Sequence, residues 1–125
     1  MYLGIDVGGT SFKAGLVDEN YRIVDKEQIE AARGAENYGE YLAGAMAELC
    51  RRLLDRNKAW DKVSCVGAGM PGFVDPDEGV IMFTPNLPLE KVPIRELFKA
   101  HSPLPLYIGN DANCAALGEY HAGCG

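Results

Sequence analysis

Apolar positions open the chain in short runs broken by turns. Tyr2-Leu3-Gly4-Ile5-Asp6-Val7 stops at Gly8-Gly9, Ser11 to Val17 resumes, and Asp18-Glu19-Asn20 supplies a turn before Tyr21 to Ile29. Extended segments on either side of two turns predict a three-stranded antiparallel meander. The period then changes. Tyr38, Tyr41, Leu42, Ala45, Met46, Leu49 and Leu53 recur at i, i+3, i+4 spacing, the stripe of an amphipathic helix. Arg51, Arg52, Arg56 and Lys58 fall in its last turns, where positive charge suits the negative end of the helix dipole. Val63 to Ala68 reads as a further strand, running into Gly69-Met70-Pro71-Gly72. A hairpin follows, with Phe73-Val74 and Val80-Ile81-Met82 joined through Asp75-Pro76-Asp77-Glu78-Gly79. Pro93 starts a short helix through Lys99, Pro105 to Gly109 is a last strand, and Asn110-Asp111 caps a helix from Ala112 to about Tyr120. The order βββ-α-β-(ββ)-α-β-α predicts an α/β fold, a mixed sheet with helices packed on it.

Composition narrows the classes. The 125 residues suffice for one domain with a single core. Twelve Lys and Arg against 18 Asp and Glu leave a net charge of −6, which argues against a nucleic-acid binder and its basic face. No apolar run approaches the ~20 residues that span a bilayer. Cys50, Cys65, Cys114 and Cys124 form no C-x-x-C pair, and no secretory signal opens the chain, so a cytoplasmic protein with reduced thiols is expected. His121 and Cys124 lack partners at metal-ligand spacing, so no metal site is assigned within these residues. The glycine-rich close, His121-Ala122-Gly123-Cys124-Gly125, reads as the start of a connection; a fragment or separated domain is the expectation.

Four segments carry candidate chemistry. In Asp6-Val7-Gly8-Gly9-Thr10-Ser11-Phe12-Lys13, an acid at a strand end precedes two glycines, which let the backbone turn tightly and bring its N–H groups close to a ligand. Thr10 and Ser11 add hydroxyl donors and Lys13 a cation, a set suited to nucleotide phosphates carried with Mg²⁺. By itself the segment reads equally as a plain hairpin. Gly69-Met70-Pro71-Gly72 allows something flat to approach the backbone, or is a structural loop. The Asn86 amide serves either a polar ligand or its own turn. Asn110-Asp111-Ala112-Asn113 lies at a strand's carboxyl end, the edge that ligands favour in open α/β sheets. A carboxylate there can accept a proton from a substrate hydroxyl, or simply cap a helix; Glu119, further along that helix, reads as a solvated residue.

Taken together and in order, these segments resemble the amino-terminal half of the ROK family of sugar kinases and sugar-responsive repressors, most closely its bacterial glucokinases. The likeness rests on Gly4-Ile5-Asp6-Val7-Gly8-Gly9-Thr10 with Lys13, on Gly69-Met70-Pro71-Gly72-Phe73-Val74-Asp75, on Asn86-Leu87-Pro88, and on Asn110 through Glu119. It implies an actin-like ATPase, ribonuclease-H-like fold, with residues 1–125 as the N-terminal lobe of a two-lobe kinase. It further implies that Asp6, Gly8, Gly9, Thr10, Ser11 and Lys13 face the ATP phosphates. Gly72, Asn86, Asn110 and Asp111 would line the sugar pocket, Asp111 being the catalytic base. ATP with Mg²⁺ and a hexose, glucose first, are the implied ligands. The family's adenosine site and zinc motif map to no residue of this chain, so the 125 residues alone are expected to be a poor catalyst. Leu89 stands where many family glucokinases carry a Trp. A sugar-sensing regulator and a non-catalytic sugar-binding module are the alternatives, and a homodimer is left open.

Overall fold

A computed structural model of the chain describes residues 1–32, 34–85 and 87–110, the last of these by its backbone alone. The helix expected over 112–120, with Asp111, Cys114, Glu119, His121 and Cys124, lies outside the described residues, as does Asn86. Within them the elements run β1 (Tyr2–Val7), β2 (Ser11–Val17), β3 (Ile23–Glu30), α1 (Tyr38–Asn57), β4 (Val66–Met70), β5 (Phe73–Asp75), β6 (Val80–Phe83), β7 (Glu90–Val92), α2 (Ile94–Lys99) and β8 (Leu106–Asn110). A five-stranded sheet has the order β3-β2-β1-β4-β8, and β5-β6-β7 form a second, smaller sheet. The first three strands are the expected antiparallel meander, while β4 adds parallel to β1 and β8 parallel to β4.

One face of the large sheet makes the core. Leu3, Ile5 and Val7 of β1, Phe12 and Leu16 of β2, Val66, Ala68 and Met70 of β4, and Leu106 and Ile108 of β8 are all buried. Strand alternation sets them on a common side. Leu42, Met46, Leu49 and Leu53 of α1, and Ile94 and Phe98 of α2, complete that cluster. Each such fully buried side chain contributes about 1.5–3 kcal/mol of transfer free energy. The other face is nearly bare at its centre: Gly4 pairs with Gly15 and Gly67, and Gly69 sits between Asp6 and Gly109.

The helix α1 forms from strong helix formers, with Lys58 in the left-handed region at its end (φ 50) where its N–H reaches the carbonyls of Leu54 and Asp55. Its basic residues serve specific acids as well as the dipole. Arg51 and Arg52 pair with Glu48 on the same helix, and Arg56 reaches across to Asp25 at 2.8 Å and Glu27 at 2.9 Å on β3. The Arg56 hydrogen bond, with a second from Asn57, lowers Asp25 from the usual 3.8 to about 2. A depressed carboxyl stabilises the fold above its unfolded pKa and ceases to do so as pH falls through its folded one. Unfolding midpoints should therefore drop between pH values of about 3.8 and about 2. Arg56→Ala should flatten part of that acid limb, modestly because the pair is exposed; an unchanged acid limb in thermal melts would remove Arg56 as its cause.

Three local expectations are revised. Tyr21 closes the second turn in the left-handed region (φ 62), so β3 begins at Ile23. Val63 to Cys65 lead into β4 without pairing in it, and the ladder begins where the Val66 N–H donates to the Pro105 carbonyl at 2.9 Å. The Phe73–Met82 hairpin gains a third strand, β7, through Ile81–Val92 and Phe83–Glu90 pairing. Reduced thiols hold at Cys50, where burial pushes the thiol up to about 12, but not at Cys65, which is disulfide-bonded. Among the described residues no helix is long and apolar enough to cross a membrane, and no group of His, Cys, Asp or Glu is placed to hold a metal ion.

Candidate functional site

Because β1, β4 and β8 are mutually parallel, their carboxyl ends share one sheet edge. The register places Asp6 beside Gly69, and Gly69 beside Gly109. Three of the four candidate segments, the Gly8–Ser11 turn, Met70–Gly72 and Asn110, therefore converge there, the edge at which open α/β sheets bind ligands.

The first turn is pinned at both ends and open in the middle. The Gly8 N–H donates to the Ser11 carbonyl at 3.0 Å, and the Thr10 carbonyl accepts from the Ala31 N–H at 3.0 Å. A Cβ on Gly8 would press on the Ser11 carbonyl oxygen at 3.0 Å, whereas one on Gly9 would meet nothing within 4 Å. Gly9 and Thr10 are exposed. Such a turn offers backbone to an incoming phosphate without a side chain in the way. Lys13 stands outside the turn, directly across from Asp6 in the β1–β2 ladder. Both are exposed and on the face away from the core, so Lys13 is placed to balance Asp6 as well as a phosphate. Ser11, the first residue of β2, is half-buried.

Gly72 holds two loops together. It adopts φ 87, and a Cβ there would lie 2.3 Å from the Phe83 carbonyl oxygen. That contact fixes the Gly69–Gly72 segment against the 84–89 connection. Thr84, buried, organises the connection: its hydroxyl donates to the Leu87 carbonyl at 2.8 Å, and its N–H to the Leu89 carbonyl at 3.2 Å. Leu89 itself is buried. The sequence pattern passed over Thr84; its place just before Pro85, in a turn-rich stretch, is the signal a hydroxyl-turn reading needs.

A cavity of about 500 Å³ opens between these loops. Gly9 and Thr10 form one wall, Leu87 and Pro88 another, and Ala32, Gly34 and Tyr38 the third. Its size falls in the range of small-molecule sites. Tyr41 builds the third wall indirectly, its hydroxyl accepting from the Ala32 N–H at 2.9 Å and donating to the Glu30 carbonyl at 3.3 Å. Tyr38 and Tyr41 were legible in the sequence only as helix-stripe positions, and nothing in a 3.6-residue period separates a stripe tyrosine that lines a cavity from one that only packs.

The family model described as the ROK family matches residues 2–124. The chain belongs to the ROK family. It is 34% identical over 125 residues to a glucokinase of Halalkalibacterium halodurans, covering 99% of this chain and 37% of that one. An N-acetyl-D-glucosamine kinase of Vibrio parahaemolyticus is 36% identical over 123 residues, 95% of this chain and 37% of that relative. The crystal structure of a ROK family glucokinase from Streptomyces griseus, in complex with glucose and AMPPNP, superposes with a TM-score of 0.71 at 32% identity. The alignment covers 98% of this chain and 36% of that one. The mixed sheet with flanking helices is thus the actin-like ATPase fold of ROK sugar kinases. The chain spans a little over a third of the length of these relatives.

Proposed function

We propose that this chain is the N-terminal lobe of an ATP-dependent hexose kinase that transfers the γ-phosphate of ATP to a sugar hydroxyl, with glucose the first substrate to test. The observation that carries the reading is the shared edge: one register joins Asp6, Gly69 and Gly109, setting a phosphate-type turn beside the strand end from which Asp111 follows. Phosphoryl transfer asks mainly for positioning and charge stabilisation, with late proton acceptance by a carboxylate. Asp6, Gly8, Gly9, Thr10, Ser11 and Lys13 take the phosphates in this reading. Gly72, Asn86, Asn110 and Asp111 take the sugar, and Asp111 accepts the hydroxyl proton. The open space at Gly9 and the exposed Asp6 carboxylate fit a nucleotide carried with Mg²⁺, which supplies the transferable phosphoryl group and offsets its charge. The adenosine site and the zinc motif fall to the part of the protein that the relatives have and this chain does not span.

The test is sugar-dependent ADP release by the longest natural product of this reading frame, against glucose, mannose and their N-acetylamino relatives, beside the 125-residue chain alone. Turnover with one sugar and silence of the short chain are expected. Binding without turnover would move the protein to a sugar-sensing regulator or sugar-binding module, and turnover by the short chain would refute the half-site reading. The phosphate assignment has its own check. Gly9→Val should leave folding intact, since its Cβ meets nothing within 4 Å. It should raise the KM for ATP by at least about tenfold, the equivalent of ~1.4 kcal/mol. Unaltered ATP affinity would remove Gly9 from the phosphate site.

A further inference from the structure

Tyr38 is the first residue of α1, 5% exposed, and it forms part of the cavity wall. Its ring meets that of Tyr41 edge to face at 5.3 Å. The two hydroxyls differ in their circumstances. That of Tyr41 is used twice, between Ala32 and Glu30. No hydrogen bond among the described residues reaches that of Tyr38. A buried hydroxyl left without a partner is costly, and a native fold keeps few of them. Burial, and secondarily Tyr41, raise the Tyr38 pKa above the usual 10.0, so at neutral pH it is an uncharged donor. Of the other described side chains around the space, Thr10 is polar and uncharged, and Ala32, Leu87 and Pro88 are apolar.

We propose that Tyr38 is a substrate-specificity residue, its phenol hydroxyl donating a hydrogen bond to an uncharged oxygen of a neutral hexose seated between the Gly9–Thr10 turn and Leu87–Pro88. This rests on the kinase reading and sharpens it. Among the described residues the wall offers no charged side chain to pair with an ammonium or a carboxylate, which favours neutral hexoses. A site built to bond one substrate oxygen also discriminates against the analogue lacking it.

The experiment uses the longest natural product of the reading frame, as the parent protein and as Tyr38→Phe. It reads hexose KM, kcat and ATP KM for the preferred hexose and its series of monodeoxy analogues, and the thermal midpoint of each protein with and without sugar. Tyr38→Phe should raise the hexose KM by about three- to tenfold, one ordinary hydrogen bond, with kcat and ATP KM within about twofold. One deoxy position that penalises the parent should cease to penalise the variant, the coupling expected of a direct bond. The sugar-free midpoint should stay level or rise, because the substitution removes a hydroxyl that has no hydrogen-bond partner among the described residues. A fall in that midpoint would show a structural role and overturn the proposal. Equal KM changes for every deoxy sugar, or none, would also overturn it. A parent protein that neither turns over nor is stabilised by any sugar refutes the kinase reading, whereas a parent that phosphorylates a hexose just as Tyr38→Phe does refutes Tyr38 alone.

Discussion

Asp111→Asn, made in the full-length protein, is expected to lower kcat by about 10²–10⁴-fold, the range typical of a lost general acid–base group. Asparagine keeps the size and much of the hydrogen bonding of the side chain but cannot take up the proton that the attacking hydroxyl must shed. Asn110 ends β8 at the edge shared with the Gly8–Ser11 turn, and Asp111 is the next residue of the chain. The sugar KM should change by no more than about threefold, because the interaction being removed develops mainly in the transition state. Steady-state kinetics with separate sugar and ATP titrations decide the matter. If the sugar KM rises as far as kcat falls, Asp111 binds or folds rather than catalyses.

The second large effect belongs to Gly72. Alanine there is opposed twice. The backbone stands at φ 87, and the new Cβ would lie 2.3 Å from the Phe83 carbonyl oxygen and 3.1 Å from Thr84 Cα. A non-glycine residue in the left-handed region costs about 1–2 kcal/mol, and forced overpacking adds about 1–3 kcal/mol. The nearest obstacle is main chain, which cannot swing aside as a side-chain tip does. Gly72→Ala should therefore destabilise the protein by roughly 2–5 kcal/mol in urea or thermal unfolding, on those same two terms. It should also raise the hexose KM, because relief of the clash displaces the connection that carries Leu87 and Pro88. Gly15→Ala is the control: it lies in β2 with nothing within 4 Å of its Cβ, so it should be neutral or slightly stabilising. Equal losses at both positions would mean that generic loss of glycine, and not the Phe83 contact, is responsible.

How far the sequence foretold these features depended on which force fixes each one. Helix α1 was legible because Leu42, Met46, Leu49 and Leu53 repeat with the helical period and all end in the core. The meander was legible because Gly8-Gly9 and Asp18-Glu19-Asn20 break apolar runs where a turn chemistry exists. By contrast β7 is Glu90-Lys91-Val92, two charged residues with Lys91 at φ 52. No propensity marks it, and it exists only because β6 presents an edge to pair with. The site divides in the same way. The glycine turn and the strand-end Asn110 were visible as local patterns. Thr84, the Gly72–Phe83 contact and the cavity-side place of Tyr38 arise from segments distant in sequence that meet only in the fold, where spacing along a chain says nothing.

In time rather than in space, the sheet order β3-β2-β1-β4-β8 divides the molecule unequally. Neighbours in the chain are neighbours in the meander, so its ladders close short loops. By contrast, Leu3 meets Val66, and Val66 meets Leu106, only across long stretches of intervening chain. The turn proposed for the nucleotide thus lies in a meander contained within the first thirty residues, while the strand end that precedes Asp111 waits for the last strand. On the proposed kinase reading, a nascent chain that stops before β8 would carry the turn assigned to the phosphates without the strand end that leads to Asp111, and would be silent until that strand is added.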